Sequence, residues 1–271
     1  MSPPRILNLM LAAGPGGLET MALHYGAALK SKGAQVLSVG LQGSWFAGAF
    51  AGRPDALAVV KPASPVDPRM GWRLRGIAKA FAPDAVIAHG SRGAAVAIPA
   101  LAGKGAPIAV VMHNFRARPI VARADLVIGV SEVVAADLRA RLPAARVSAV
   151  ANFAPLTRAA PRSAFSDPPL IGSLGRLHEE KGFDLLLGAA ASLGGRFRLA
   201  IAGDGPAAGD LKAQAARLGL DVDFPGWTSP AGPFLAGLDL FVCSSRTESF
   251  GLVVVEAMAA GTPVVATDIE G

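Results

Sequence analysis

The chain has a single cysteine, Cys243, and a single tyrosine, Tyr25, among 271 residues. One thiol cannot close an internal disulfide or build a cysteine metal cluster, so the fold stands on packing, and a reducing cytoplasm suits it. Charged residues are few as well, 17% against 52% hydrophobic, which excludes a disordered chain. No long membrane-spanning run is present: residues 33–52 carry no charge, but five glycines, two glutamines and two serines make them a poor span. Aromatic residues make up only 6% and no stacking motif accompanies the arginines, which argues against nucleic acid as a partner. The opening run after Arg5, ILNLMLAA, reads as a buried first strand, with a secretory leader as the alternative.

Glycine (32 residues) and proline (21) are plentiful instead, and they punctuate apolar runs without a fixed period, as tight turns between short buried elements do. The net charge of +6 hides an asymmetry. Residues 1–155 hold 17 Lys/Arg and 7 Asp/Glu, a net +10, whereas residues 156–271 hold 9 and 13, a net −4. A basic half suits an anionic partner such as a membrane surface or a phosphorylated glycolipid. A GC-rich genome, which inflates Arg and Ala, is the alternative source of the same excess.

Strand-length apolar runs alternate with helix-length segments. Six runs lie in the first half, at 6–12, 35–41, 84–90, 107–114, 125–131 and 146–152. They are almost continuously apolar where a one-sided sheet would alternate, the mark of parallel strands covered on both faces. Residues 17–32 and 132–141 read as helices, the second capped by Ser131. A proline-rich stretch without periodicity follows, and the alternation restarts with strands at 170–177, 198–204, 222–227, 239–245 and 263–268 and helices near 182–193, 207–218 and 251–260. The reading is an α/β protein of two Rossmann-like, doubly wound parallel-sheet domains, 1–155 and 169–271, joined by a linker at 156–168.

Open α/β sheets bind ligands beyond the carboxyl ends of their strands, and the candidate residues collect there. Gly14-Pro15-Gly16-Gly17-Leu18-Glu19 follows the first strand and opens a helix, so the amides of Gly16 and Gly17 can approach an anion. The third glycine of a dinucleotide fingerprint falls on Glu19, so that fingerprint is absent. His89 and His113 each follow an apolar strand, and Arg116, Arg118 and Arg123 come next, placed to meet an anionic ligand. His24, within a helix, and His178, in a loop, read as solvated.

In the second half Arg176 offers a planar fork of donors and Lys181 a mobile point charge, a pair suited to a diphosphate unless Glu179 and Glu180 neutralise both. Glu256 sits among three valines and Ala257-Met258-Ala259-Ala260. A carboxylate buried there needs donors, which two vicinal ribose hydroxyls would supply. Glu248 stands seven intervening residues earlier, ahead of a helix whose first amides, at Ser249, Phe250, Gly251 and Leu252, can hold a phosphate.

The Glu248-x7-Glu256 spacing, the sequence ESFGLVVVEAMAAGTPVVAT, the loop GRLHEEKG, AIAGDGP at 200–206 and GGLE near the start together resemble the retaining glycosyltransferases of family 4, over essentially the whole chain. The resemblance implies the GT-B fold, two doubly wound domains facing a cleft, with a nucleotide-diphosphate-sugar donor on the second domain and a saccharide or lipid-linked acceptor on the first. It assigns catalytic roles to Glu248, which would grip donor-sugar hydroxyls, and to His113, which would reach the donor sugar. It places the diphosphate on Arg176, Lys181 and the amides from Ser249 through Phe250 and Gly251 to Leu252, with Gly16 and Gly17 closing on it. Glu256 would hold the ribose, and Gly203 and Trp227 belong to the donor side, Trp227 near the base. His89, Arg116 and Arg118 fall on the acceptor side. It implies no cofactor and no metal, since two cations and a helix N-terminus can stabilise the leaving diphosphate. Asp221-Val222-Asp223 imitates the D-x-D of metal-dependent transferases but opens an expected strand and is not read as a metal site.

A non-catalytic nucleotide-sugar or anion-binding GT-B module stands as the alternative, and a sugar-nucleotide epimerase as a third reading. The basic segment 69–81, with Trp72, either lies on the inner face of an anionic cytoplasmic membrane or packs on the sheet and solvates its charges. Family members continue past the position of Gly271 with further elements, so a second domain that stops short, with an exposed apolar edge, is expected.

Overall fold

A computed structural model describes residues 2–14, 16–52, 57–60, 67, 69–153, 164–194 and 196–270. The chain divides into two units, Met1–Phe153 and Ala154–Gly271. Residues 156–163 of the expected linker lie outside the described residues.

The opening apolar run is strand β1 (Arg5–Met10), an inner strand of the first sheet. Its residues pair in parallel with β2 (Gln35–Leu41) on one side and β4 (Ala85–His89) on the other. Arg5 anchors its start, donating from its backbone to Asp84 at 2.7 Å and from Nε to the Phe81 carbonyl at 2.7 Å. The other strands are β3 (Leu57–Val60), β5 (Ile108–Met112), β6 (Leu126–Gly129) and β7 (Val147–Ala149), giving the order β3-β2-β1-β4-β5-β6-β7 among the described residues. Helices α1 (Gly17–Ser31), α2 (Trp45–Gly48), α3 (Arg69–Phe81), α4 (Gly90–Leu101) and α5 (Glu132–Arg141) connect them. Ser131 caps α5 as expected, its Oγ accepting from the Val134 amide at 3.3 Å.

Three elements of this unit depart from the expectation, the first being α2, a single turn that no expected segment covers. Strand β3 is a four-residue edge strand beyond the six expected. Helix α4, GSRGAAVAIPAL, has no side-chain cap and carries Pro99 inside. It stands on tertiary packing: Ala94, Ala97, Ile98 and Leu101 are buried, and packing of one face rather than propensity holds most short helices. Helix α3 contributes to that packing. Met70, Leu74 and Ala78 are buried at four-residue spacing, and the Arg75 guanidinium donates to the Ala100 and Pro99 carbonyls at the end of α4. Trp72 is left 74% exposed. No helix among the described residues is long and apolar enough to cross a membrane.

The second unit repeats the plan with β8 (Leu170–Leu174), β9 (Arg198–Ala202), β10 (Val222–Gly226), β11 (Leu240–Cys243) and β12 (Val264–Ala266), parallel and ordered β10-β9-β8-β11-β12. Helices α6 (Phe183–Ser192) and α7 (Ala208–Arg217) cover a cluster around Leu177, Leu187 and Ile201. Helices α8 (Gly232–Gly237) and α9 (Leu252–Ala259) cover another around Leu235, Leu238, Phe241 and Ala257. The buried Asp239 carboxylate accepts from the amides of Ser166 and Leu170 at 3.1 and 2.7 Å, tying the entry of β8 to β11. At the β12 edge Val265 is exposed, as is Met258 on α9.

Candidate functional site

In each sheet the strand order reverses between neighbours, β1 and β4 in the first unit, β8 and β11 in the second. There the connections leave in opposite directions and open a crevice at the carboxyl ends. In the second unit the flanking loops are 175–182, after β8, and 244–251, after β11. They are stitched together. The Ser244 hydroxyl donates to the Lys181 carbonyl at 3.1 Å, the Arg246 amide to Glu180 at 2.8 Å, and the Arg246 guanidinium to the Glu179 carbonyl at 3.0 Å and to both oxygens of Asp184 at 2.6 Å. That fork holds the Asp184 carboxyl below its usual range. Gly182 lies at φ +62°, and a Cβ there would sit 2.0 Å from the Ser244 carbonyl oxygen, so only glycine allows the two loops to close.

This stitching brings Lys181 and Glu248 together. Lys181 Nζ is ion-paired with Glu248 Oε1, and the Ser245 hydroxyl donates to the same oxygen at 2.8 Å. Among the described residues nothing bonds the other oxygen, Oε2. Glu248 is only 14% exposed, and a small pocket is lined by Ser173, Lys181, Ser244, Ser245, Glu248 and Val253. Lys181 thus pairs with Glu248, and not with Glu179 or Glu180, the alternative that the sequence left open. Arg176 is exposed, and its side chain makes no hydrogen bond or ion pair among the described residues.

The α9 N-terminus lies beside this pair. Gly251 caps it in the left-handed conformation, and the amides of Ser249, Phe250 and Leu252 make no hydrogen bond among the described residues. Glu256 is half-buried on α9, burial raises its carboxyl above the usual range, and no described side chain donates to it. Gly203 has a structural reason to be glycine: at φ +139° its Cβ would lie 1.9 Å from the Gly175 carbonyl oxygen. Trp227 stands half-exposed just after β10. The described residues contain no group of three or more His, Cys, Asp or Glu able to hold a metal, and Asp221 and Asp223 gather no further ligand.

In the first unit Gly16 precedes α1 and Gly17 begins it. Glu19 folds back into this turn. Its Oε2 lies 2.8 Å from where a Gly16 Cβ would stand, it is buried, and burial raises its carboxyl above the usual range. Pro15 lies outside the described residues. His89 ends β4 and His113 follows β5, and the two rings meet: His89 Nδ1 is 3.2 Å from His113 Nε2, while His89 Nε2 is 2.8 Å from Asn8 Oδ1. Burial keeps both imidazoles below the ordinary range, His89 further by its charged-state repulsion with His113, and His113 at about 4. Asn8 has no place in the sequence reading; a lone asparagine inside an apolar strand was its only signal. The Arg116–Arg118 loop is held to α4 by Ser91, whose hydroxyl donates to the Arg116 carbonyl at 3.0 Å and accepts from the Arg118 amide at 3.2 Å. His24 corrects the solvated expectation: it is half-buried, its Nδ1 lies 3.1 Å from the Phe153 carbonyl, and burial lowers its pKa. His178 is half-exposed in its loop, and its Nδ1 accepts from the Glu180 amide at 3.4 Å.

Two doubly wound parallel sheets of this kind define the GT-B fold. A structure of Anabaena Alr3699/HepE in complex with UDP and glucose superposes on 99% of this chain and 82% of its own with a TM-score of 0.81 at 21% identity. The family model Glycosyltransferase Family 4 matches residues 15–158 and the model Glycosyl transferases group 1 matches residues 168–271, so the chain belongs to glycosyltransferase family 4. It is 44% identical over 108 residues to the lipopolysaccharide core biosynthesis glycosyltransferase LpsE of Rhizobium meliloti strain 1021, a match covering 39% of this chain and 32% of LpsE. With LpsD of the same organism it shares 29% identity over 207 residues, 74% of this chain and 60% of LpsD. The chain thus spans about a third of LpsE and three fifths of LpsD in these matches.

Proposed function

We propose that the chain is a metal-independent retaining glycosyltransferase that moves a sugar from a nucleoside-diphosphate donor to a saccharide or lipid-linked acceptor of the cell envelope. The observation that carries this reading is the Glu248 carboxylate, with Oε1 fixed by Lys181 and Ser245 and Oε2 left for a ligand hydroxyl, beside the unpaired amides of the α9 N-terminus.

The chemistry follows from charge. Cleavage of the bond between the anomeric carbon and the phosphate oxygen builds negative charge on the diphosphate. Lys181, Arg176 and the α9 amides supply fixed positive potential for it, with no reorganisation at the moment of reaction. Glu248 orients sugar hydroxyls through Oε2, and Glu256 takes the ribose diol, whose two donors relieve its desolvated carboxyl. The acceptor oxygen attacks the same face the phosphate leaves, and its proton passes to the departing phosphate oxygen. No covalent sugar–protein bond forms. The relatives' names, lipopolysaccharide core biosynthesis, support an envelope acceptor, and the UDP in the HepE structure supports a nucleotide-sugar donor. A cytoplasmic location, peripheral on the inner membrane face through α3 and Trp72, belongs to the same reading.

The test is transfer from a panel of nucleotide sugars to envelope glycan acceptors in EDTA, with product anomer read by NMR. Transfer with retention is expected. Nucleotide binding with neither transfer nor donor hydrolysis would instead identify a binding module, and donor conversion without acceptor an epimerase.

A further inference from the structure

Inside the first sheet a line of polar side chains runs from the middle of β1 to the carboxyl ends of β4 and β5. Asn8 is fully buried and His89 2% exposed. Asn8 Nδ2 donates to the Ala22 carbonyl of α1 at 2.9 Å, Asn8 Oδ1 meets His89 Nε2 at 2.8 Å, and His89 Nδ1 meets His113 Nε2 at 3.2 Å. The line ends on His113 Nδ1, which is buried and makes no hydrogen bond among the described residues.

The proton positions along this line follow from one another. A backbone carbonyl only accepts, so the Asn8 amide nitrogen faces Ala22 and its oxygen faces His89. His89 Nε2 must then carry a hydrogen. A neutral imidazole has a single N–H, so His89 Nδ1 is an acceptor and His113 Nε2 carries the hydrogen that bonds to it. His113 Nδ1 is left as a bare lone pair. Both rings are neutral at pH 7, because burial opposes the cations and the ring centroids stand 5.5 Å apart. Tyr25 is a further titratable group against this line, packed edge-on on His89 at 5.2 Å and neutral, with its hydroxyl pushed up to about 12. A buried polar line in a parallel-sheet core is costly unless each member is satisfied, and only its last atom is not.

We propose that Asn8 and His89 are positioning residues that act through His113, setting its tautomer so that Nδ1 stands as a lone-pair acceptor for a hydroxyl group of a carbohydrate ligand. The carbohydrate rests on the function proposed above; the proton arrangement does not.

The test reads the protons directly. In the 15N-histidine-labelled chain at pH 7, with its four histidines assigned by single His→Gln variants, long-range 1H–15N spectra are expected to show His89 and His113 neutral and protonated on Nε2. The His113 Nδ1 resonance shifts on addition of UDP-glucose and stays in place with UDP alone. Asn8→Leu removes the acceptor at similar volume and is expected to mix the tautomers and lower kcat about tenfold with little change in donor KM, the loss of one hydrogen bond. Asn8→Asp, which keeps an oxygen for His89 Nε2, recovers most of that rate. A wild-type His113 that is cationic or protonated on Nδ1 overturns the proposal even if Asn8→Leu fails to fold, as does an Asn8→Leu enzyme with unchanged tautomers and kcat. The stated tautomers without sugar transfer from any donor count against the function proposed above and leave the proton arrangement standing. Transfer with the wrong His113 tautomer does the reverse.

Discussion

In the first unit the polar groups of interest lie within the sheet and are neutral: Asn8, His89 and His113 meet among strands β1, β4 and β5. In the second they are charged and lie beyond the strands, on loops and the first turn of α6, Lys181 with Glu248 and Arg246 with Asp184. The two topologies are alike, so the difference is one of electrostatic strategy. A neutral line can be buried because each of its links joins a donor to an acceptor without a charge to desolvate. The charged pairs stay near solvent, where desolvation is limited and a ligand's own charge can join them. The net charges of the two halves, +10 and −4, do not predict this: the basic half holds the neutral buried line, and the acidic half holds the candidate phosphate site.

The largest expected effect tests the charged pair. Glu248→Gln keeps the shape but removes the charge facing Lys181, and kcat for transfer should fall by about 10²- to 10³-fold, while circular dichroism remains that of the wild type. An unchanged rate would break the comparison at its functional end.

The next concerns the neutral line. In the unfolded chain His113 titrates near 6.5, in the fold at about 4. Between those values the unfolded state binds more protons, so this contribution is complete above pH 6.5 and is lost as pH falls toward 4, by roughly 3 kcal/mol. His89 acts in the same direction. Buried Glu19, with its carboxyl raised, opposes them by favouring the fold on acidification. Urea unfolding at pH 7 and pH 5 should show the loss, and His113→Gln should reduce it, leaving the share that His89 carries.

A smaller effect is expected from Gly182→Ala. The added methyl meets the Ser244 carbonyl at a left-handed φ, which should destabilise the second unit by about 2 kcal/mol in denaturant. Transfer should suffer too, because the loops carrying Lys181 and Glu248 separate. The smallest concerns Arg246→Ala. Its bidentate bond to Asp184 is at the surface, so the urea midpoint should stay unchanged even though the contact is geometrically good.

Much of this fold is legible in the sequence because hydrophobic period is local. The continuous runs that became β1, β4, β5 and β6 are buried on both faces, and Ser131 announces α5. Helix α4 is not legible, since Gly90, Gly93 and Pro99 argue against a helix that exists by packing on α3 and β5. Edge strand β3 is too short to show a period. At the site, the Glu248–Glu256 spacing and the loop around Lys181 are readable as chemistry. Their pairing is not: Lys181 and Glu248 are 67 residues apart, while Glu179 and Glu180 stand beside Lys181 in sequence and bond elsewhere or face solvent. Glu19 looks like a first-turn helix acid and proves to be buried.

By itself, then, the sequence determined the alternation of strand and helix, the family, and the residue types that can carry the chemistry, because those depend on neighbours along the chain. Tertiary structure alone decided which carboxylate Lys181 faces, that Asn8 lies under His89, and where the proton sits on His113. Those outcomes depend on strand order: β1, β4 and β5 are adjacent in space though dozens of residues separate them, and a hydrogen bond depends on distances of about 3 Å that no local pattern encodes.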